Sequence, residues 1–114
     1  MKPLVYIAGP ITTPNPMHNT HETLRIAAEI LDRGLVLPFV PHLTVLWDIV
    51  VPRPYEEWMG YDFGVIEHCN ALLRLSGESL GADREVEHAA HLNIPTFFNH
   101  HDLYAWVLCV WPER

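Results

Sequence analysis

The stretch Ala71-Leu72-Leu73-Arg74-Leu75-Ser76-Gly77-Glu78-Ser79-Leu80-Gly81-Ala82-Asp83-Arg84-Glu85-Val86-Glu87-His88-Ala89-Ala90 decides how the rest of the chain is read. It opens with an apolar run short enough to be a buried strand. Val86, Ala89, Ala90 and Leu92 then recur at helical spacing. A strand, a turn rich in Ser and Gly, then a helix gathers backbone N–H groups and a positive helix end around an anion. Glu85 sits near the start of that helix. This segment is expected to hold the reaction centre, under a pocket built by the remaining chain.

Towards the N-terminus, Leu4-Val5-Tyr6-Ile7-Ala8 is a β-rich apolar run that reads as a buried parallel strand. A proline-rich loop from Gly9 to Pro16 follows, where open α/β sheets bind ligands; a rigid turn is the alternative. A helix is expected from Asn19 or Thr20 to about Arg33, with Leu24, Ala27, Ala28 and Leu31 as its apolar stripe and Gly34 as its stop. Leu35-Val36-Leu37 reads as a second strand closed by Pro38.

Residues 38–54 are punctuated by Pro38, Pro41, Pro52 and Pro54 yet remain apolar, which suits a lid, a pocket wall or an oligomer contact. A short helix fits Leu43 to Val50. Tyr55 to His68 reads as a helix with Trp58, Met59, Asp62, Val65 and Ile66 on one broad face. Asp62 therefore sits among apolar neighbours, where a carboxylate is costly without a role or a partner. The third strand is expected over about Asn70 to Leu75, a fourth over Ile94 to Phe98, and a closing helix over Leu103 to Val110.

Strands alternating with helices imply right-handed crossovers and an α/β fold. The expectation is a small flavodoxin-like (Rossmann-like) doubly wound parallel sheet of four or five strands, one domain spanning residues 1–114. At 114 residues and 49% apolar content the chain carries one core. A net charge of −7 argues against polynucleotide binding, although a local pocket for one small phosphate stays compatible with it. No apolar run reaches the roughly 18 residues of a membrane span, and the first strand begins too early to leave room for a signal peptide. A soluble cytoplasmic protein is expected, with Cys69 and Cys109 as reduced core thiols. His88 and His91, and the pair His100-His101, lack metal-site spacing, so no metal or cofactor is expected. Trp47, Tyr55, Trp58 and Tyr61 read as core or interface aromatics, with stacking on a base as the alternative.

In a flavodoxin-like order the first and third strands are neighbours, and the crevice at the switch point lies between them. Tyr6, Asp62 and Glu85 converge there. Two carboxyls and a tyrosine suit cleavage of a glycosidic bond, one carboxylate attacking the anomeric carbon and the other protonating the leaving group. The same residues also suit structural duty, Glu85 capping its own helix and Asp62 pairing with an arginine.

Tyr6-Ile7-Ala8-Gly9-Pro10-Ile11, Asp62 followed by Cys69-Asn70-Ala71, and Ser79-Leu80-Gly81-Ala82-Asp83-Arg84-Glu85 resemble the ordered motifs of the nucleoside 2-deoxyribosyltransferase superfamily. That superfamily includes the 2'-deoxynucleoside 5'-phosphate N-hydrolases, and the likeness is greatest to small deoxyribosyltransferase-like proteins of bacteria and phages. It spans about residues 4–98, with the Ser-Leu-Gly-x-x-x-Glu run as its most specific part. The resemblance implies Glu85 as nucleophile, Tyr6 as the group orienting it, and Asp62 as the acid that protonates the departing base. Ser79 stands where the transferases carry an acidic residue and looks like the nucleotide hydrolases, which bind a 5'-phosphate. The N–H groups of Gly81 and Ala82 would complete that phosphate site, with Gly9, Pro10 and Ile11 as the first loop. Pro10 departs from the hydrolases' Gly-Ser-Ile loop and removes an N–H; Asn70 replaces a common Asp at a structural position. His42, in the apolar loop, is either a pocket residue or a packed core histidine.

The expected function is cleavage of the N-glycosidic bond of a nucleoside 5'-monophosphate or deoxynucleoside through a glycosyl-Glu85 intermediate, releasing the base to water. Base exchange between nucleosides and a non-catalytic nucleotide sensor are the alternatives, and a pure interaction protein comes third. A homodimer or higher homo-oligomer is expected, a second subunit finishing the open crevice.

Overall fold

Alternation along the first strand sets the architecture. In β1 (Leu4–Ala8), Val5 and Ile7 point into one buried cluster, and Tyr6 and Ala8 into another on the opposite face. The computed structural model of the chain describes residues 1–111. β1 lies between β2 (Leu37–Phe39) and β3 (Ala71–Arg74), and β4 (Thr96–Phe97) adds to β3, giving a parallel sheet in the order β2-β1-β3-β4. This is the flavodoxin-like order, with four strands.

The crossover helix α1 (Pro16–Arg33) carries the chain from β1 to β2 in one direction across the sheet. The helices α3 (Tyr55–Ile66) and α4 (Leu80–His91) lie on crossovers that move the other way. Since such crossovers are right-handed, α1 falls on one face and α3 and α4 on the other. The packing agrees. Ala27 and Ile30 of α1 join Val5, Ile7 and Leu73, together with Leu103 and Val107 of the closing helix α5 (His100–Cys109). Ile66 of α3, and Ala82 and Ala89 of α4, join Tyr6, Ala8 and Leu72. Each large side chain buried this way contributes about 1.5–3 kcal/mol. Asn70 is structural as expected: its Oδ1 accepts the Leu4 N–H at 2.9 Å, and its own N–H donates to Leu4 O at 2.8 Å, fixing β3 against β1.

Several boundaries differ from the sequence reading. The first helix begins at Pro16 because Asn15 Oδ1 accepts from the N–H groups of Met17 and His18, and a proline is tolerated at the first helical position. Its buried stripe is Thr23, Ala27 and Ile30; Leu24, Ala28 and Leu31 face outward, Leu31 with 54% exposure. Apolar residues surround this helix, so tertiary packing rather than periodicity chooses the stripe. The second strand passes through Pro38 instead of stopping before it. Being at the sheet edge, it loses nothing by lacking an N–H there. The fourth strand shrinks to Thr96–Phe97, and Asn99 starts the closing helix by accepting the Asp102 N–H at 2.8 Å. Cys69 is buried, but Cys109 is exposed and is no core thiol, because it ends α5 beyond the sheet-facing Leu103 and Val107.

The apolar segment forms a 3-10 turn (Pro41–Leu43) and the helix α2 (Thr44–Val50). Thr44, Val45 and Ile49 form a wall of the main cavity, while Leu46 and Val50 face out, Val50 with 72% exposure. No helix among the described residues is long and apolar enough to cross a membrane.

Candidate active site

Period-two alternation turns Tyr6 toward α3 and α4, under the carboxyl ends of the neighbouring strands β1 and β3. There it meets the two carboxyls. The Tyr6 hydroxyl donates to Glu85 Oε2 at 2.5 Å, and the ring is held from behind by Phe39, stacked at 5.8 Å between centroids. Glu85 belongs to the buried face of α4 with Ala82 and Ala89; of the expected Val86, Ala89, Ala90 and Leu92, Ala89 is buried and Val86 packs half-buried on the core, while Ala90 and Leu92 are exposed. Asp62 comes from the buried face of α3 and lies beside Glu85 and Tyr6, close enough for each to affect its carboxyl. Both carboxyls are only 3% exposed.

Glu85 does not cap its helix and Asp62 does not pair with an arginine among the described residues. The α4 cap is Ser79, whose Oγ accepts the Ala82 N–H at 3.0 Å. Asp62 forms no ion pair among the described residues, and its buried Oδ1 has no hydrogen-bond partner there.

Burial pushes the Asp62 carboxyl above its ordinary range, with contacts to Glu85 and Tyr6 pulling part of the way back. Burial also raises Glu85; the Tyr6 hydroxyl opposes the rise, the Asp62 charge adds to it, and the nearby Arg74 guanidinium lowers it. The Tyr6 phenol is driven far above its usual value by burial and then by the two carboxylates, so it remains a donor. Two adjoining carboxyls raised in this way hold a proton above the ordinary carboxylate range, and their titration belongs to the pair.

The turn between β3 and α4 is tied from below. Arg74 donates to the carbonyls of Leu75 and Gly77, the latter at 2.9 Å, and reaches Asp83 Oδ1 at 3.0 Å. Gly77 has φ +114°, and a Cβ there would lie 2.8 Å from Pro10 Cγ. The serine-glycine turn and the proline loop therefore touch at a point only glycine fits. Gly77→Ala is expected to cost about 1–3 kcal/mol through strain and the clash with a rigid ring. A denaturant midpoint lowered with unchanged slope checks this; an unchanged midpoint contradicts it.

The proline loop is tied from the other side. Asn19 Nδ2 donates to the carbonyls of Ile11 and Thr13, both at 3.0 Å. His42 Nε2 lies 2.8 Å from Pro10 O, with Thr23 Oγ1 at 3.2 Å. A carbonyl only accepts, so Nε2 carries the proton. His42 Nδ1 is buried without a partner among the described residues, and burial lowers the pKa, keeping the ring neutral. His42 is thus fully buried and lies outside the cavity; it holds Pro10, and it belongs to the core alternative rather than the pocket.

These loops, α2, α3 and the start of α4 enclose a cavity of about 1160 Å³, open on one side and lined by Asp62 and Glu85 at its floor. Gly9, Pro10, Ile11, Ser79, Gly81 and Ala82 all reach it. The Ala82 amide expected to meet a phosphate is already held by Ser79, a consequence of N-cap geometry. Tyr55 and Trp58 line the cavity, while Trp47, Trp58 and Tyr61 pack on one another with centroids 5.2–6.0 Å apart. The sequence reading missed Asn19 and Arg74 as loop ties, and Asp48 and Glu78 as cavity residues. Nothing in their spacing marks them, since each acts through partners that only folding supplies. His88 stacks on Phe63 and faces Glu67, and His100 and His101 pack on each other. No cluster of three or more His, Cys, Asp or Glu side chains able to hold a metal occurs among the described residues.

No family model and no curated protein matches the sequence. Among solved structures, the chain is similar to a 2-desoxiribosyltransferase from Leishmania mexicana, with a TM-score of 0.61 at 19% identity. The match covers 82% of this chain and 61% of that one, so this chain spans about three-fifths of its neighbour's length. At that identity the likeness is one of fold.

Proposed function

We propose that this chain is an enzyme that cleaves the N-glycosidic bond of a nucleoside-type substrate and passes the sugar to water. The observation that carries this reading is the buried pair Asp62 and Glu85 with the Tyr6 hydroxyl 2.5 Å from Glu85, at the floor of a cavity large enough for a nucleoside. The fold shared with a deoxyribosyltransferase supports it at the coarser level of glycosyl chemistry.

Glu85 in its ionised form attacks the anomeric carbon, with Tyr6 holding the attacking carboxylate in line. The bond from sugar to base breaks, and Asp62 gives its proton to the departing base nitrogen. This leaves a glycosyl ester on Glu85. Asp62, now a carboxylate, takes a proton from water, which attacks the same carbon and frees Glu85. Overall the sugar keeps its anomeric configuration. Burial raises both carboxyls, so the pair holds a proton above the ordinary carboxylate range; the cycle uses that proton on Asp62 with Glu85 ionised. The open side of the cavity admits water once the base has left.

The test is chromatographic release of free base from a panel of nucleosides and their 5'-monophosphates, with and without a second base present. Base release independent of the second base is the expected result. A new nucleoside formed at the expense of free base would make the chain a base-exchanging transferase. Binding without release from any substrate would make it a sensor.

A further inference from the structure

Building on the proposed function, we infer that the site takes an uncharged nucleoside and rejects its 5'-monophosphate, with Glu78 among the side chains that enforce the choice. The cavity is lined by Asp48, Asp62, Glu78, Asp83 and Glu85 against a single cationic side chain, Arg53. Arg53 is already engaged, its Nη1 at 2.7 Å from Glu57 Oε1. The two other arginines beside the site are engaged as well. Arg74 is tied to Asp83 and to two turn carbonyls, and Arg84 forms a two-pronged pair with Glu56 at 3.0 and 2.9 Å. Among the described residues, a phosphate entering here would find each nearby guanidinium already paired and would face Asp48, Glu78 and the pair Asp62 and Glu85 across the open-sided cavity.

The backbone donors tell the same story. Pro10 contributes no N–H, and the Ala82 N–H is capped by Ser79. The positive end of α4 already has Asp83 in its first turn. What the charged side chains of the lining offer is mostly acceptors, including the unpartnered, buried Asp62 Oδ1. Carboxylates only accept hydrogen bonds when ionised. They match a ligand that presents donors, which are the hydroxyls of a free sugar and the amino or imino groups of a base.

The experiment measures kcat/KM for a nucleoside and its 5'-monophosphate on the wild type and on Glu78→Gln. Calorimetric binding of both ligands to Glu85→Gln, a variant that cannot form the glycosyl ester, runs beside it. The wild type is expected to prefer the nucleoside by about 100-fold or more, and Glu78→Gln to narrow that ratio by about tenfold, the scale of one carboxylate acting on a nearby phosphate. Preference for the monophosphate in either assay, or a ratio unmoved by Glu78→Gln, would overturn the inference. If no substrate is cleaved but Glu85→Gln binds the nucleoside more tightly than the monophosphate, the glycosidase reading falls and the substrate class stands. If neither ligand binds, both fall.

Discussion

Glu85→Gln is expected to lower kcat by at least about 10⁴-fold while making the protein more stable at neutral pH. The first effect follows from chemistry: an amide oxygen does not form the glycosyl ester, and among the described residues no carboxyl besides Asp62 is buried with it. The second follows from burial. Glu85 is 3% exposed and its carboxyl is raised by that burial, so the ionised form is held in the fold at a cost. The amide keeps an acceptor for the Tyr6 hydroxyl and carries no charge, and the gain is roughly 1–2 kcal/mol, a common trade between stability and function. The sign with pH is fixed by linkage. Below the unfolded value of about 4 the carboxyl is protonated in both states. Above it the unfolded chain loses the proton first, and wild-type stability declines as pH rises through the raised folded value. The advantage of Glu85→Gln should therefore grow from about pH 4 into the neutral range. Thermal melts at a series of pH values and single-turnover kinetics measure both effects. Turnover within about tenfold of wild type would remove Glu85 from the nucleophile's role.

Asp62→Asn carries the second large effect. Losing the proton donor is expected to reduce kcat/KM by about 10²–10⁴-fold for an ordinary nucleoside. The loss should shrink below about tenfold for a nucleoside whose base already bears a positive charge, such as an N7-alkylated purine, because that base leaves as a neutral molecule without protonation. The pH profile adds a readout that a merely structural role would not move. The cycle needs one proton on the pair, delivered by Asp62, so wild-type activity falls on the alkaline side as the pair loses that proton, and this limb should vanish in the variant. Equal losses on both nucleosides with an unchanged profile would make Asp62 a packing residue.

The burial of the pair also explains why sequence spacing left both carboxyls with structural alternatives. An acid near a helix start is ordinarily a cap, but Ser79 holds that position and turns Glu85 inward. An acid on an apolar helix face ordinarily finds an arginine. The arginines near this site are committed elsewhere, Arg53 to Glu57, Arg74 to Asp83 and Arg84 to Glu56. Removing either alternative took knowledge of a third residue. His42 stayed open between pocket wall and core, since apolar surroundings fit both; its full burial outside the cavity, on Pro10 O, decides for the core.

From sequence alone came the alternation of strands and helices, the parallel sheet in flavodoxin-like order, the two loops at the carboxyl ends of β1 and β3, and the meeting of Tyr6 with Asp62 and Glu85, the two carboxyls lining the cavity. Those readings rest on local rules, the period of a strand or a helix and the backbone limits of Pro and Gly, which operate within a few residues. The stripe that α1 buries, the role of His42 and the engagement of the amides and guanidiniums around the cavity were decided by tertiary structure. Tyr6 and Glu85 are 79 residues apart in the chain, and His42 and Pro10 are 32 apart. A hydrogen-bond donor or a charge has a fixed character in the sequence, but whether it is free for a ligand depends on which distant partner has already satisfied it.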